Sequence, residues 1–236
     1  MTRHSAFELL RGKGPDLGPL ATRFPLPERT MLHVLAAQAE AIGDRDWLVF
    51  DGHDHLTFRD AQDGVNRFGH GVVDELGEGG HVALFLRNQR EFPIAFYGAM
   101  AARGVAVPLN ADARGRLLEQ VIARSDARMI VARADLLDRL QALDGLGDVE
   151  LVLVAGEPDG PLPDRIHGAR VAGFDAWLEG RPTTPRPLPD SSEVCLIQFT
   201  SGTTGQSKGV VYPHHFLYLY GAAIADRMGH GPDEVL

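Results

Sequence analysis

Phe199-Thr200-Ser201-Gly202-Thr203-Thr204-Gly205-Gln206-Ser207-Lys208-Gly209-Val210-Val211 packs hydroxyl side chains, three glycines and one lysine into a short span. On its left is the apolar run Val194-Cys195-Leu196-Ile197, and on its right an apolar run compatible with a helix. Glycines let the backbone bend until several N–H groups face one anion. Hydroxyls add donors without bulk, and lysine adds a compact positive charge. The stretch therefore predicts a phosphate-holding loop at a strand tip, which is where open α/β sheets bind ligands.

Spacing tells which phosphate loops it is not. A Walker A loop needs Gly-Lys-Ser/Thr after a glycine and four intervening residues, but Ser207 stands five after Gly202 and Gly209 follows Lys208. The dinucleotide fingerprint Gly-x-Gly-x-x-Gly fails too, because Thr204 occupies its second glycine position. The bland alternative is a Ser/Thr/Gly-rich surface linker, yet linkers rarely sit directly between a β-type apolar run and a helix.

Working outward, strands and helices alternate from Gly77 onward. Val82-Ala83-Leu84-Phe85-Leu86 reads as a buried strand, 88–103 as a helix closed by Gly104, and Val105 to Leu109 as the next strand. A helix over 116–124, a strand at Met129-Ile130-Val131, a helix over 134–143 and a strand at Leu151 to Val154 continue the pattern. Arg181 to Asp190, rich in proline, is a connector, after which Val194 to Phe199 returns as the strand feeding the loop. Such alternation predicts an α/β fold with a mainly parallel sheet flanked by helices in three layers.

Upstream, residues 1–28 carry scattered Gly and Pro with little periodicity and are expected to form a mobile or surface-hugging extension. Thr30 is a plausible N-cap for a helix ending near Gly43. Trp47 to Phe50 and Leu56 to Phe58 flank Asp51-Gly52, a hairpin signal, and Thr57 can cap a helix with Phe58, Ala61, Val65, Phe68, Val72 and Leu76 on one face. The expected organisation is an extension over 1–28, the first part of an incomplete α/β subdomain over 29–77, an α/β subdomain over 78–228, and the start of a continuation over 229–236.

Composition narrows the classes. The chain has 236 residues, 44% hydrophobic, and a formal net charge of -9, which opposes a general nucleic-acid or anionic-membrane surface. Its one cysteine cannot form an intrachain disulfide and fits a reducing cytoplasm. The N-terminal residues lack a signal-peptide core, and no apolar run has the length of a membrane span.

The loop resembles the signature of the adenylate-forming (AMP-binding) superfamily: an aromatic residue, then Thr-Ser-Gly-Thr-Thr-Gly-x-Pro-Lys-Gly-Val. One position departs, with Ser207 standing in place of the usual proline. That loosens the backbone and removes no donor. Leu56 to Asp60, Arg90 to Met100 and Val107 to Asn110 are similar to earlier blocks of the same superfamily, in the same order, so the resemblance covers about residues 29 to 236. Pro213-His214 stands where acyl-CoA synthetases commonly have Thr-His, and the blocks are more similar to acyl-CoA and carnitine-type CoA ligases than to luciferases.

The resemblance implies an N-terminal portion of an ATP-dependent ligase that forms an acyl adenylate and then a thioester with CoA. It implies binding of ATP by Thr200, Ser201, Gly202, Thr203, Thr204, Gly205, Lys208 and Gly209. ATP, Mg2+ and CoA are the implied cofactor and co-substrates, with a carboxylic acid as the third partner. The acidic residue that usually holds magnesium, the aspartate for the ribose hydroxyls, most of the acyl pocket and the C-terminal domain belong to later blocks that this sequence does not contain. The chain alone is accordingly expected to be inactive, and to self-associate or rely on a complementing piece. The alternative is a non-catalytic nucleotide- or phosphate-binding module or remnant.

Other candidates are weaker. His53 and His55 read as solvated turn residues before they read as metal ligands, and no metal site is assigned. His214 and His215 read as packing and capping groups or as a base beside the loop. Tyr212, Phe216, Leu217, Tyr218 and Tyr220 read as core or acyl-pocket wall.

Overall fold

A computed structural model of the chain describes residues 19–200 and 207–228. Short 3-10 turns at Pro19–Thr22 and Leu26–Glu28 lead into helix α1 (Met31–Ile42), the strands β1 (Asp46–Phe50) and β2 (Asp54–Thr57), and helix α2 (Phe58–Leu76). Then follow β3 (His81–Phe85), α3 (Glu91–Ala101), β4 (Val105–Pro108), α4 (Gly115–Arg124), β5 (Ala127–Arg133), α5 (Leu137–Gln141) and β6 (Leu151–Ala155). The chain continues through β7 (Arg165–Ile166), β8 (Ala169–Gly173), α6 (Phe174–Leu178), β9 (Val194–Thr200), β10 (Lys208–Pro213) and α7 (His214–Met228).

β1 and β2 form a separate antiparallel hairpin, and the other strands form one eight-stranded sheet in the order β10-β9-β4-β3-β5-β6-β8-β7. From β9 to β8 every neighbouring pair runs parallel, while β10 and β7 are antiparallel edges. This is the helix-covered, mainly parallel sheet that the alternation predicts.

Alternate residues of a strand point to opposite faces, so the central strands of the large sheet serve two cores. Val82 and Leu84 of β3 join Val65 and Phe68 of α2 and Ala95 and Ala99 of α3. Ala83 and Phe85 face the other way, toward Leu118 and Ile122 of α4 and Leu137 and Leu140 of α5. α2 thus shares a core with the sheet and lies against α3. Phe68 stacks on Phe174 with ring centroids 5.7 Å apart and meets the Trp177 edge at 5.4 Å. Gly98 of α3 allows this approach, since a Cβ there would lie 2.6 Å from Cβ of Phe68.

Both helix starts read from threonine form as expected. Thr30 Oγ1 accepts from the His33 N–H at 3.1 Å, and Thr57 Oγ1 accepts from the Asp60 N–H at 3.1 Å. Residues 19–28 lie along α7, where Tyr218 donates its hydroxyl proton to the Leu20 carbonyl at 2.5 Å and Asp226 accepts from the Leu20 N–H at 3.3 Å. The expectations placed on residues 1–18 and 229–236 lie outside the described residues.

Two features differ from the sequence reading. The apolar run after Lys208 is a strand, not the start of a helix: β10 pairs with β9 from Lys208↔Thr200 to Pro213↔Val194, and the helix begins only at His214. Val210, Val211 and Tyr212 are β-branched or aromatic, and an adjacent strand with open hydrogen-bonding groups selects the extended form. The second feature is the segment before Arg181, where β7 and β8 form a hairpin through His167 and Gly168, both at positive φ (48° and 88°), before α6. That pair of left-handed residues is the turn geometry that matches strand twist.

Candidate nucleotide-binding hairpin

β9 and β10 build the candidate site as a hairpin rather than as a strand-to-helix turn. Thr200 and Lys208 stand opposite one another as the last registered pair, and Thr200 Oγ1 donates to the Lys208 carbonyl at 3.4 Å. Both side chains belong to exposed residues. The two charged or hydroxyl-bearing rims of the loop are thereby held face to face. Ser201, Gly202, Thr203, Thr204 and Gly205 lie outside the described residues.

Gly209 has a packing reason to be glycine. It opposes Phe199, and a Cβ on it would come 3.1 Å from Cγ2 of Ile197 and 3.5 Å from the Phe199 ring. Ile197 and Phe199 in turn lean on the core that α4 covers. β9 shares one registered pair with β4, Ala106↔Leu196, and the hairpin runs on beyond it. At the start of β10 it reaches α4, where Arg124 Nη1 donates to the Ser207 carbonyl at 2.8 Å. Sequence reasoning does not single out Arg124. A basic residue in the last turn of a helix reads only as a complement to the helix dipole.

The other end of the hairpin is anchored by polar contacts. Arg103 Nη2 bonds Glu193 Oε1 at 2.7 Å, and that same oxygen accepts from the Asp190 N–H at 2.8 Å. Asp190 Oδ1 accepts from the hydroxyl and the N–H of Ser192 at 2.6 and 2.9 Å, and these bonds hold its carboxyl below the usual range. The N–H groups of His214 and His215 donate to the Glu193 and Ser191 carbonyls at 3.0 and 2.8 Å, so the start of α7 is tied to the start of β9.

His214 is buried, and burial first, then repulsion from His33, lowers its pKa to about 4. It sits as a neutral packing group at the end of β10 away from Lys208. Cys195 is buried, donates weakly to the Tyr212 carbonyl at 3.5 Å, and has its thiol pushed up to about 12 by burial. Such a thiol is a poor nucleophile at neutral pH. The aromatic set divides: Tyr218 is buried, while Tyr212, Phe216 and Tyr220 stack in file with centroids 4.7 and 6.3 Å apart. An apolar groove between residues 20–24, α1 and α7 is lined by Leu20, Phe24, Met31, Val34, Tyr218 and Ala222. It belongs to the body of α7, and neither Thr200 nor Lys208 lines it.

His53 and His55 face local partners. Nδ1 of His53 lies 2.8 Å from the Asp51 carbonyl, and Nδ1 of His55 lies 2.7 Å from Asp46 Oδ2. Among the described residues no group of three or more His, Cys, Asp or Glu side chains is placed to hold a metal ion. No helix among them is long and apolar enough to cross a membrane.

Comparison with known proteins agrees with this architecture. The family model described as "AMP-binding enzyme" matches residues 35–236, and the chain belongs to that family. Medium/long-chain-fatty-acid–CoA ligase FadD6 of Mycobacterium tuberculosis is 30% identical over 207 residues, covering 83% of this chain and 31% of the relative. 4-Hydroxybutyrate–CoA ligase 2 of Metallosphaera sedula is 30% identical over 155 residues, covering 64% of this chain and 28% of the relative. The chain therefore spans about a third of the length of these CoA ligases. In fold it is similar to the anthranilate CoA ligase AuaEII in complex with anthranoyl-AMP, with a TM-score of 0.71, 24% identity and coverage of 83% of this chain and 36% of that one. A Brucella canis acyl-CoA synthetase gives a TM-score of 0.71 at 23% identity, covering 91% and 41%.

Proposed function

We propose that this chain is the nucleotide-gripping part of an ATP-dependent carboxylate-activating ligase of the acyl-CoA synthetase type. In the first step a carboxylate oxygen attacks the α-phosphorus of ATP, the bond to the bridging oxygen breaks, and pyrophosphate leaves with its electron pair. In the second, a thiol such as that of CoA attacks the acyl carbon and AMP departs. Negative charge grows on the leaving pyrophosphate, so donors aimed at the β- and γ-phosphates lower the barrier. Thr200, Ser201, Thr203, Thr204 and Lys208 supply those donors, and Gly202, Gly205 and Gly209 let the backbone approach. Magnesium, where present, offsets phosphate charge, and the described residues offer no carboxylate cluster to hold it.

The observation that carries the reading is the Lys208↔Thr200 pairing, which presents an exposed lysine and an exposed hydroxyl-bearing residue together where the paired strands end. The relatives named as ligases of fatty acids and of 4-hydroxybutyrate support a carboxylic acid substrate and CoA as acceptor. The lone buried thiol supports a reducing, cytoplasmic setting.

The test is carboxylate-dependent exchange of labelled pyrophosphate into ATP, run on this chain alone and together with the downstream portion that its longer relatives carry. A panel of fatty, hydroxy and aromatic acids covers the chemistry. Exchange is expected only with the complemented form, and Lys208→Ala is expected to reduce its rate roughly 100-fold, the usual effect of removing one charge-stabilising donor. ATP binding with no exchange for any acid would favour the non-catalytic module instead.

A further inference from the structure

We propose that Arg124 is a positioning residue for the phosphate-binding hairpin, replacing by a hydrogen bond the stiffness that a proline at position 207 would provide. The inference rests on the phosphate-loop reading for its functional meaning and on geometry for its mechanism. Ser207 immediately precedes Lys208, so its backbone orientation sets the direction in which the lysine leaves the loop. A proline there would lock φ near −65°. Serine leaves that torsion free, and the looseness falls next to the residue whose ammonium has to be placed within a fraction of an ångström.

Arg124 meets that need from outside the hairpin. It closes the last turn of α4, whose Leu118 and Ile122 are buried in the core beneath Ile197 and Phe199. The guanidinium therefore springs from a rigid base, and its Nη1 reaches the Ser207 carbonyl at 2.8 Å across 83 positions of sequence. Among the described residues Arg124 is part of no salt bridge, unlike Arg103, Arg128, Arg170 and Arg181, each paired with a carboxylate. A guanidinium held on a carbonyl retains its full positive charge, so it also adds to the field at the loop exit.

The arrangement predicts a compensation that a purely structural surface contact would not show. Four forms of the chain are compared: wild type, Arg124→Ala, Ser207→Pro and the double variant. Backbone amide hydrogen exchange is followed over β9 and β10, and binding of inorganic tripolyphosphate and of ATP is measured in parallel. Arg124→Ala is expected to speed exchange roughly fivefold or more at whichever of the Lys208 and Gly209 amides points toward β9, as loss of a charge-assisted hydrogen bond does, with β3 and β5 unchanged. It is also expected to weaken tripolyphosphate binding several-fold. In the double variant the exchange rates return to near wild type, while binding recovers except for the share due to the missing charge.

Unchanged exchange in Arg124→Ala, or a double variant as loose as the single one, would overturn the proposal. If no form binds tripolyphosphate or ATP while the exchange rates follow the expected order, the positioning contact stands and the phosphate-loop reading fails.

Discussion

At the scale of single residues, His214 shows how packing fixes protonation. The ring is 1% exposed, its Nε2 has no hydrogen-bond partner among the described residues, and its neighbours include His33, whose own pKa is lowered by burial against an opposing pull from Glu28. Asp190 pulls the His214 pKa upward but is outweighed. In the unfolded chain the ring takes up a proton near 6.5, whereas in the fold it does so only near 4. Below about 6.5 the unfolded state therefore binds more protons, and stability falls as pH drops from 6.5 toward 4. A depression of this size corresponds to about 3 kcal/mol over the full window. Urea midpoints measured at about pH 7.5 and about pH 5 are expected to separate clearly in wild type and to draw together in His214→Leu. An undiminished separation in the variant would assign the acid sensitivity to other groups.

At the scale of elements, α2 and α3 meet through glycine. Gly98→Ala would add about 1 kcal/mol of helix propensity, but overpacking a tight contact costs about 1–3 kcal/mol. Phe68 cannot give way, because Phe174 and Trp177 hold its ring on the other side. The net expectation is a loss of about 1–2 kcal/mol in chemical unfolding. Gly173→Ala, where a new Cβ meets nothing within 4 Å, should be close to neutral. Elements such as β3, β5 and β6 are legible in the sequence because a strand buried on both faces must be a continuous apolar run. β10 is not, since Val210-Val211-Tyr212 is too short for periodicity to choose between helix and strand, and pairing with β9 decides it. The His167-Gly168 turn is equally hard to read because it lacks the Asn-Gly or Asp-Gly pair that marks a two-residue hairpin. In the candidate site, glycine and hydroxyl spacing marks the loop itself, whereas Arg124 carries no local signal that links it to Ser207.

At the scale of the whole molecule, the two ends of the large sheet are unequal. β7, at one end, is two residues long and leaves little edge to pair. β10, at the other, is six residues long with Val210 and Val211 exposed, and it adjoins a file of Phe216, Tyr220, Ile224 and Met228 that recurs every helical turn along α7. Unpaired strand edges beside exposed apolar side chains recruit other chains. In sedimentation velocity the chain alone is expected to self-associate with rising concentration and to bind a hydrophobic dye, and Val211→Lys to reduce both. A monomer that melts sharply and ignores the dye would mean that this face is inert.

Cys195 supplies a gauge for these events. As the chain's one sulfhydryl, sealed inside β9 at 0% exposure, it can meet an alkylating reagent only while that strand is detached from its neighbours. The pace of its modification under native conditions thus counts openings of the ribbon that carries the candidate loop.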